Sequence, residues 1–228
     1  MNLDRLMRVL QFGDSVLPIG SFAFSNSLEA AVQAGVVTDA ATLAEFARTT
    51  VRRSAVSDGI ALLHAHRAAT GNDIGGLVQA DQAVFERKLS EEARTMAVRT
   101  GRKLAEVSMA AADVPLAEKW LDMIRAGATP GTYPAALGLV FAGLGSPEED
   151  AFAVHQYGAA MTTLSAALRL MRIGHGDVQA ILASACATVT DDYAETRDAA
   201  LSDMAGFAPA ADVLAAMHVR SHVRLFMN

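Results

Sequence analysis

Apolar residues recur every three to four positions along nearly the whole chain. Leu3, Leu6, Met7 and Leu10 stand at i, i+3, i+4 and i+7, the spacing that places side chains on one face of an α-helix. Sustained alternation of apolar and polar residues, typical of a half-buried strand, is scarce. Alanine, the strongest helix former, supplies 46 of the 228 residues. The pattern predicts an all-α fold of about ten helices, forming one domain over residues 1–228.

Capping residues and helix breakers set the predicted boundaries. Start signals include Asp39, Asp58, Ser90, Ser146-Pro147 and Asp177, each at or just before a helical stretch. The predicted helices cover residues 2–12, 25–35, 38–54, 58–71, 73–88, 90–111, 115–125, 133–144 and 146–171, then a long helix from 177 and a last segment after Pro209.

Composition excludes several classes of protein. The chain is 52% hydrophobic and 19% charged, which is too apolar for a disordered protein. Its net charge of −6 argues against a dedicated nucleic-acid binder. The single cysteine excludes a disulfide framework. Because no basic start leads into an apolar run, we expect no secretion signal and a cytoplasmic location.

One uncharged stretch, residues 126–147, is about as long as a membrane-spanning helix. Pro130, Gly131, Pro134 and Gly143 interrupt it, and the backbone groups they leave unpaired are not tolerated in hydrocarbon. We therefore expect no membrane span.

The residues that carry chemistry form no recognisable catalytic set. Cys186 lies in an apolar run, where a thiol is most simply a core residue. His218 and His222 would share a helix face and could bind a metal, but two imidazoles make at most half of a metal site, so two exposed histidines are the simpler interpretation. His155 and His175 are expected to be buried or at helix ends. The residues themselves predict no catalytic, cofactor or metal site.

Charged residues on the helix predicted over 90–111 occur with both signs. Arg99, Arg102 and Lys103 follow Glu91 and Glu92 at helical spacing. Such a pattern is typical of a solvated helix face.

Three segments in register carry a family resemblance. The first is residues 10–29, LQFGDSVLPIGSFAFSNSLE. The second is a middle block with Thr132-Tyr133-Pro134, Gly138-Leu139-Val140, Tyr157 and, at residues 165–170, SAALRL. The third is the tail, Ala216-Met217-His218 ending in Arg224-Leu225-Phe226, and a weaker match begins at Glu92-Ala93-Arg94. Together they resemble the urease accessory protein F (UreF) family over nearly the whole chain.

The chain departs from that family pattern at three places. Val219 stands where the family usually has Glu after the tail histidine, and His222 stands near the position of an aromatic residue. His175 ends a segment, Arg172-Ile173-Gly174-His175, where the family tends to show Pro-Leu-Gly-Gln. Spacing and the Arg-Leu-Phe ending are kept.

The resemblance implies an all-α homodimer that is not an enzyme and carries no cofactor. Such proteins bind urease accessory protein D (also called H), recruit the GTPase accessory protein G, and act on apo-urease so that nickel is inserted. Regulation of the GTPase and a part in the nickel route are further implied roles.

The candidate partner-binding residues fall in the matching segments. Phe22 and Phe24 are either interface anchors or core residues of this chain. Residues 216–228 are predicted to be a partner-binding tail that includes His218, Arg224, Leu225 and Phe226. Glu29, Tyr157 and Arg169 are predicted at a dimer seam or facing the GTPase; the simpler alternatives are that the helix dipole stabilises Arg169 and that Tyr157 covers the core.

Two other classes of function stay open on the residues alone. A helical ligand-binding or regulatory module could bury a small apolar molecule among its ten methionines. An enzyme would need convergent polar groups that the sequence does not reveal.

Overall fold

Helices make up nearly all regular structure in the computed structural model of the protein, which describes residues 3–14, 16–205 and 225–226. No strand occurs within those ranges, which confirms the all-α prediction. The helices of the described part are α1 Leu3–Gly13, α2 Leu28–Gln33, α3 Ala40–Ser54, α4 Ile60–Thr70, α5 Ile74–Arg87, α6 Glu91–Ala111, α7 Pro115–Arg125, α8 Tyr133–Gly143, α9 Glu148–Leu170, α10 His175–Cys186 and α11 Val189–Thr196.

Several helix starts lie where the capping residues predict them. The Asp39 carboxylate accepts the backbone N–H of Thr42 at 2.9 Å, and the Thr42 hydroxyl accepts the N–H of Asp39 at 3.1 Å, which forms a capping box before α3. Ser90 Oγ accepts the N–H of Ala93 at 3.1 Å and caps α6. Pro115 is the first residue of α7.

The predicted helix start at Asp58 is wrong. The chain passes from α3 into α4 without a break, through a π-helical turn at Ala55–Gly59. Asp58 therefore caps no helix. Its carboxylate instead accepts two hydrogen bonds from Lys88 Nζ, at 2.6 and 2.8 Å.

Two later boundaries also differ from the prediction. Pro147, not Ser146, occupies the capping position of α9, and the Ser146 carbonyl is hydrogen-bonded to His66 Nε2 at 2.8 Å. The long helix predicted from Asp177 begins two residues earlier and is divided into α10 and α11 by a turn. The segment predicted after Pro209 lies outside the described residues.

The larger hydrophobic cluster surrounds α8. Leu137 and Phe141 of α8 are fully buried, and α4, α5, α6, α7 and α9 all pack against this helix. Burial on every side explains why residues 126–147 carry no charge: this stretch contains a core helix of 11 residues. Within the described ranges, no helix combines the length and the apolar character needed to cross a membrane.

A second hydrophobic cluster lies among α2, α3, α9 and α10. Leu28, Val51, Leu164 and Val178 are buried there, one from each helix, and Phe226 of the C-terminal segment joins them. This cluster forms the base of the candidate site.

A buried carboxylate fixes the loop before α8. Asp81 of α5 is fully buried and accepts the N–H groups of Gly131 and Thr132, each at 2.7 Å, and the Thr129 hydroxyl at 2.5 Å. Three donors satisfy the charge that burial would otherwise penalise. Asp81 therefore ties α5 to the start of α8.

Candidate functional site

The structure brings the three family-like segments together around Phe226: Glu29 of the opening segment accepts its backbone N–H, and Arg169 of the middle block lies over its ring. Glu29, on α2, is 1% exposed. Its Oε1 accepts the backbone N–H of Leu225 at 2.8 Å, and its Oε2 accepts that of Phe226 at 3.0 Å. An ionised carboxylate holding two backbone donors makes stronger hydrogen bonds than a neutral acceptor would. We call Glu29, Arg169, Leu225 and Phe226 the tail clamp.

Arg169, in the last turn of α9, contacts the side chain of Phe226. Its guanidinium carbon lies 3.9 Å from the centre of the Phe226 ring. That ring is only 5% exposed and packs into the second hydrophobic cluster. A cation over an aromatic face adds about 0.5–2 kcal/mol to the apolar burial. Phe226 is therefore held by its backbone and by its side chain.

A left-handed turn before α2 positions Glu29. Asn26 and Ser27 have φ values of 52° and 66°, a conformation that Asn tolerates better than most residues. The Asn26 side-chain amide donates to the Ala159 carbonyl at 3.3 Å and to Thr163 Oγ1 at 3.4 Å. These bonds attach the turn to α9. Asn26 is not among the site residues predicted from the sequence, although Asn beside a helix start is a signal for such a turn.

The two tail residues of the clamp face different surroundings. Phe226 is buried in its own chain, whereas Leu225 is 67% exposed. Of these two side chains, only that of Leu225 is available to another molecule in this conformation. His218, His222 and Arg224 lie outside the described residues, so their predicted roles stay predictions.

The remaining candidate residues are not among the four residues of the tail clamp. Phe24 is buried at 3% exposure, the arrangement expected of a core residue, and nothing is described of the side chain of Phe22. Tyr157 is 40% exposed on α9, so its ring is partly accessible to a partner. Their partner-binding roles stay predictions.

A buried polar cluster beside the π-helical turn was not predicted from sequence. His155 is 5% exposed, its ring stacks on Tyr133 with 5.9 Å between centres, and its Nδ1 lies 3.2 Å from Ser54 Oγ. Burial lowers the pKa of His155 to about 4, although the nearby Asp58 charge opposes the shift. Burial also raises the pKa of Tyr133 to about 12. The expectation of a buried histidine at 155 is thus met.

Metal-ligating residues do not converge in the part of the chain that the structure describes. No group of three or more His, Cys, Asp or Glu side chains with metal-binding geometry occurs there. Cys186 is partly buried against the second cluster, and burial raises the pKa of its thiol. The thiol is thus disfavoured as a thiolate nucleophile, as expected of a core residue.

Proteins of Brucella and Yersinia align with the whole of this chain. A protein of Brucella canis named urease accessory protein UreF 2 is 55% identical over 227 residues, covering 100% of this chain and 93% of that protein. Urease accessory protein UreF 1 of Brucella melitensis biotype 1 is 54% identical, covering 94% of its own length. Urease accessory protein UreF of Yersinia pseudotuberculosis serotype I is 47% identical over the full length of both chains.

These relatives are all urease accessory proteins. The UreF family model matches residues 37–186, about two thirds of the chain. The chain belongs to the UreF family, which confirms the resemblance stated from the sequence.

Proposed function

We propose that this chain is a urease accessory protein that takes part in urease maturation. In this proposal it is a non-catalytic, cytoplasmic homodimer. It binds accessory protein D (H), recruits the GTPase accessory protein G and acts on apo-urease so that nickel is inserted. Regulation of the GTPase is a further proposed role.

One observation carries the proposal: relatives named urease accessory protein UreF align with the whole chain at 47–55% identity. The alignment leaves no large part of the chain without a counterpart. The tail clamp supports it, because the opening, middle and tail segments of the resemblance meet at Phe226.

The clamp also suggests which side of the tail meets a partner. Phe226 anchors the tail to its own chain, while Leu225 is left exposed beside it. An exposed leucine in a backbone fixed by two hydrogen bonds is pre-organised, so binding it costs little ordering entropy. We assign Leu225, together with Arg224 and His218 of the tail, to the surface that contacts accessory protein D.

Co-expression with accessory proteins D and G, followed by size-exclusion chromatography with light scattering, tests the proposal. We expect a complex of defined mass containing all three proteins. If the chain elutes alone while both partners are folded, the scaffold function is wrong.

Leu225→Asn tests the binding role of the tail surface without disturbing the fold. The side chain is exposed, so stability should be kept while co-elution with accessory protein D falls. Leu89→Asn is the matched control, because Leu89 is 65% exposed and lies far along the chain from the tail. Equal co-elution of the two variants would contradict the assignment of Leu225. Deleting residues 216–228 is less specific, because it also removes the buried Phe226.

A further inference from the structure

A cavity of about 360 Å³ lies between the link after α1 and one face of α6. Its two walls differ in chemistry. The link contributes apolar groups, among them Ile19 and Phe24, and α6 contributes Arg99, Arg102 and Lys103. The helix face that the sequence predicts to be merely solvated is therefore one wall of a concave site.

The charge of this wall is opposite to that of the protein. The chain as a whole has a net charge of −6, whereas the lining residues that the structure describes include three cations and one acid, Glu106. Glu106 is shared: its Oε1 lies 3.0 Å from Arg102 Nε and its Oε2 lies 3.3 Å from Lys103 Nζ. One carboxylate cannot neutralise both cations, so the wall keeps a positive charge.

The ion pairs on α6 are easily exchanged. The side chains of Arg102 and Lys103 are 51% and 50% exposed, and such surface pairs are each worth only about 0.2–1 kcal/mol. An incoming carboxylate can replace Glu106 at either cation at little cost. The cations are thus held in place on the helix but remain available to another acid.

The cavity is also open at the link. Gly20 has a φ of +85°, and among the described residues no atom beyond its chain neighbours lies within 4 Å of the place where a side chain would begin. A backbone segment can therefore approach the link closely. Exposed Pro18 and partly buried Ile19 border the same opening.

From these features we propose that the cavity binds an acidic protein segment, with a carboxylate on Arg102 and Lys103 and a neighbouring apolar side chain against Ile19. The donor of the segment is one of the urease-maturation partners, so this inference rests on the proposed function. A small anion would leave the apolar wall unused, and the overall negative charge of the chain disfavours a nucleic acid.

The test measures affinity for accessory protein D, accessory protein G and apo-urease, each titrated separately against the full chain. Arg102→Glu with Lys103→Glu reverses the charge of the wall, and Arg102→Gln with Lys103→Gln only removes it. The matched control is Lys119→Glu with Arg125→Glu, two exposed residues of α7 that change the net charge equally.

For one of the three partners we expect the charge-reversed variant to bind at least tenfold more weakly and the neutral variant to lose an intermediate amount. The control should bind like the wild type. Wild-type affinity for that partner should decrease as NaCl is raised from about 50 to about 300 mM, because salt screens interactions between exposed charges. The affinity of the reversed variant should depend less on the salt concentration. Circular dichroism and melting temperature confirm that each variant is folded.

Other outcomes overturn the inference. Equal binding of the reversed variant and the control removes the cavity as a partner site. Loss of self-association with unchanged partner affinity would assign the cavity to a second copy of this chain. A third outcome is that inorganic phosphate stabilises the wild type but not the reversed variant, while the two bind the partners equally. That outcome would assign the cavity to a free anion. A wild type that binds none of the three proteins overturns the proposed function as well.

Discussion

The guanidinium carbon of Arg169 lies 3.9 Å from the centre of the Phe226 ring, so the end of α9 covers a side chain 57 positions further along the chain. Glu29 accepts the backbone N–H of the same residue. The C-terminal segment is thus a packed part of the fold at this point, although a terminal segment usually frays.

Replacing the buried anchor of the tail should destabilise the protein. Phe226→Ala removes a ring that is 5% exposed, and we expect the free energy of unfolding to fall by about 3 kcal/mol. Leu225→Ala, at a residue 67% exposed, should change it by less than about 0.5 kcal/mol. Denaturant titrations of both variants measure this difference. Two equal, small effects would show that the ring does not anchor the tail in solution.

Removing the negative charge of the clamp should loosen the tail backbone. Glu29→Gln leaves a neutral amide facing two N–H donors and should cost about 1–3 kcal/mol. Hydrogen exchange gives the specific readout: the amides of Leu225 and Phe226 should exchange at least tenfold faster. The control is Glu45→Gln, whose side chain is 79% exposed. Unchanged protection of the two tail amides would exclude the clamp.

His155 should make stability depend on mildly acidic pH. Its pKa is about 4 in the folded protein against an ordinary value of 6.5, so the unfolded chain binds the extra proton between those values. Folding stability is therefore fully present above pH 6.5 and is lost as the pH falls toward 4, by about 3 kcal/mol in all.

Unfolding of the wild type and His155→Gln at a series of pH values between 7.5 and 4.5 measures this dependence. In the variant, the slope of the free energy of unfolding against pH should be smaller by up to about 1.4 kcal/mol per pH unit. Asp58 and Lys88 face the same region and remain in both proteins. Although burial opposes it, the Lys88 charge holds the pKa of Asp58 below its ordinary value of 3.8, so this carboxyl titrates below the measured pH range. Parallel curves for the two proteins would contradict the assignment.

A methyl group at Gly138 should separate two core helices. A Cβ there would lie 2.6 Å from the Leu62 carbonyl oxygen and 2.8 Å from the His66 nitrogen, both backbone atoms of α4. We expect Gly138→Ala to destabilise the protein by about 1–3 kcal/mol, the usual cost of overpacking. Gly176→Ala on α10 meets no atom of the described part of the chain within 4 Å and should be neutral or slightly stabilising. The melting temperatures of the two variants measure this difference, and equal values would contradict the close contact between α8 and α4.

The features that the sequence predicts correctly are those set by neighbouring residues, such as the starts of helices. Asp39, Ser90 and Pro115 act within one helical turn, and the helices beside them begin as predicted. The start signal at Asp58 failed because the π-helical turn satisfies the backbone without a cap, which leaves the carboxylate for Lys88.

Long-range relationships could not be read from periodicity. The pairing of Glu29 with the Phe226 N–H joins residues 197 positions apart, and no pattern of spacing encodes it. The family resemblance did single out both segments, but not their contact. Likewise the charges of Arg102 and Lys103 predict an exposed helix face without revealing the cavity beside it.

The π-helical turn at Ala55–Gly59 fixes the number of residues between α3 and α4 as well as their identity. Residues 40–70 form one uninterrupted rod whose first part buries Leu43 and Val51 in the second cluster and whose last part buries Leu62 and Leu63 in the first. Deleting one residue from the turn would rotate the two parts by about 100° relative to each other. A conservative substitution in this segment leaves the buried side chains of both parts facing their hydrophobic clusters. A single-residue deletion would instead turn the buried side chains of one part toward solvent.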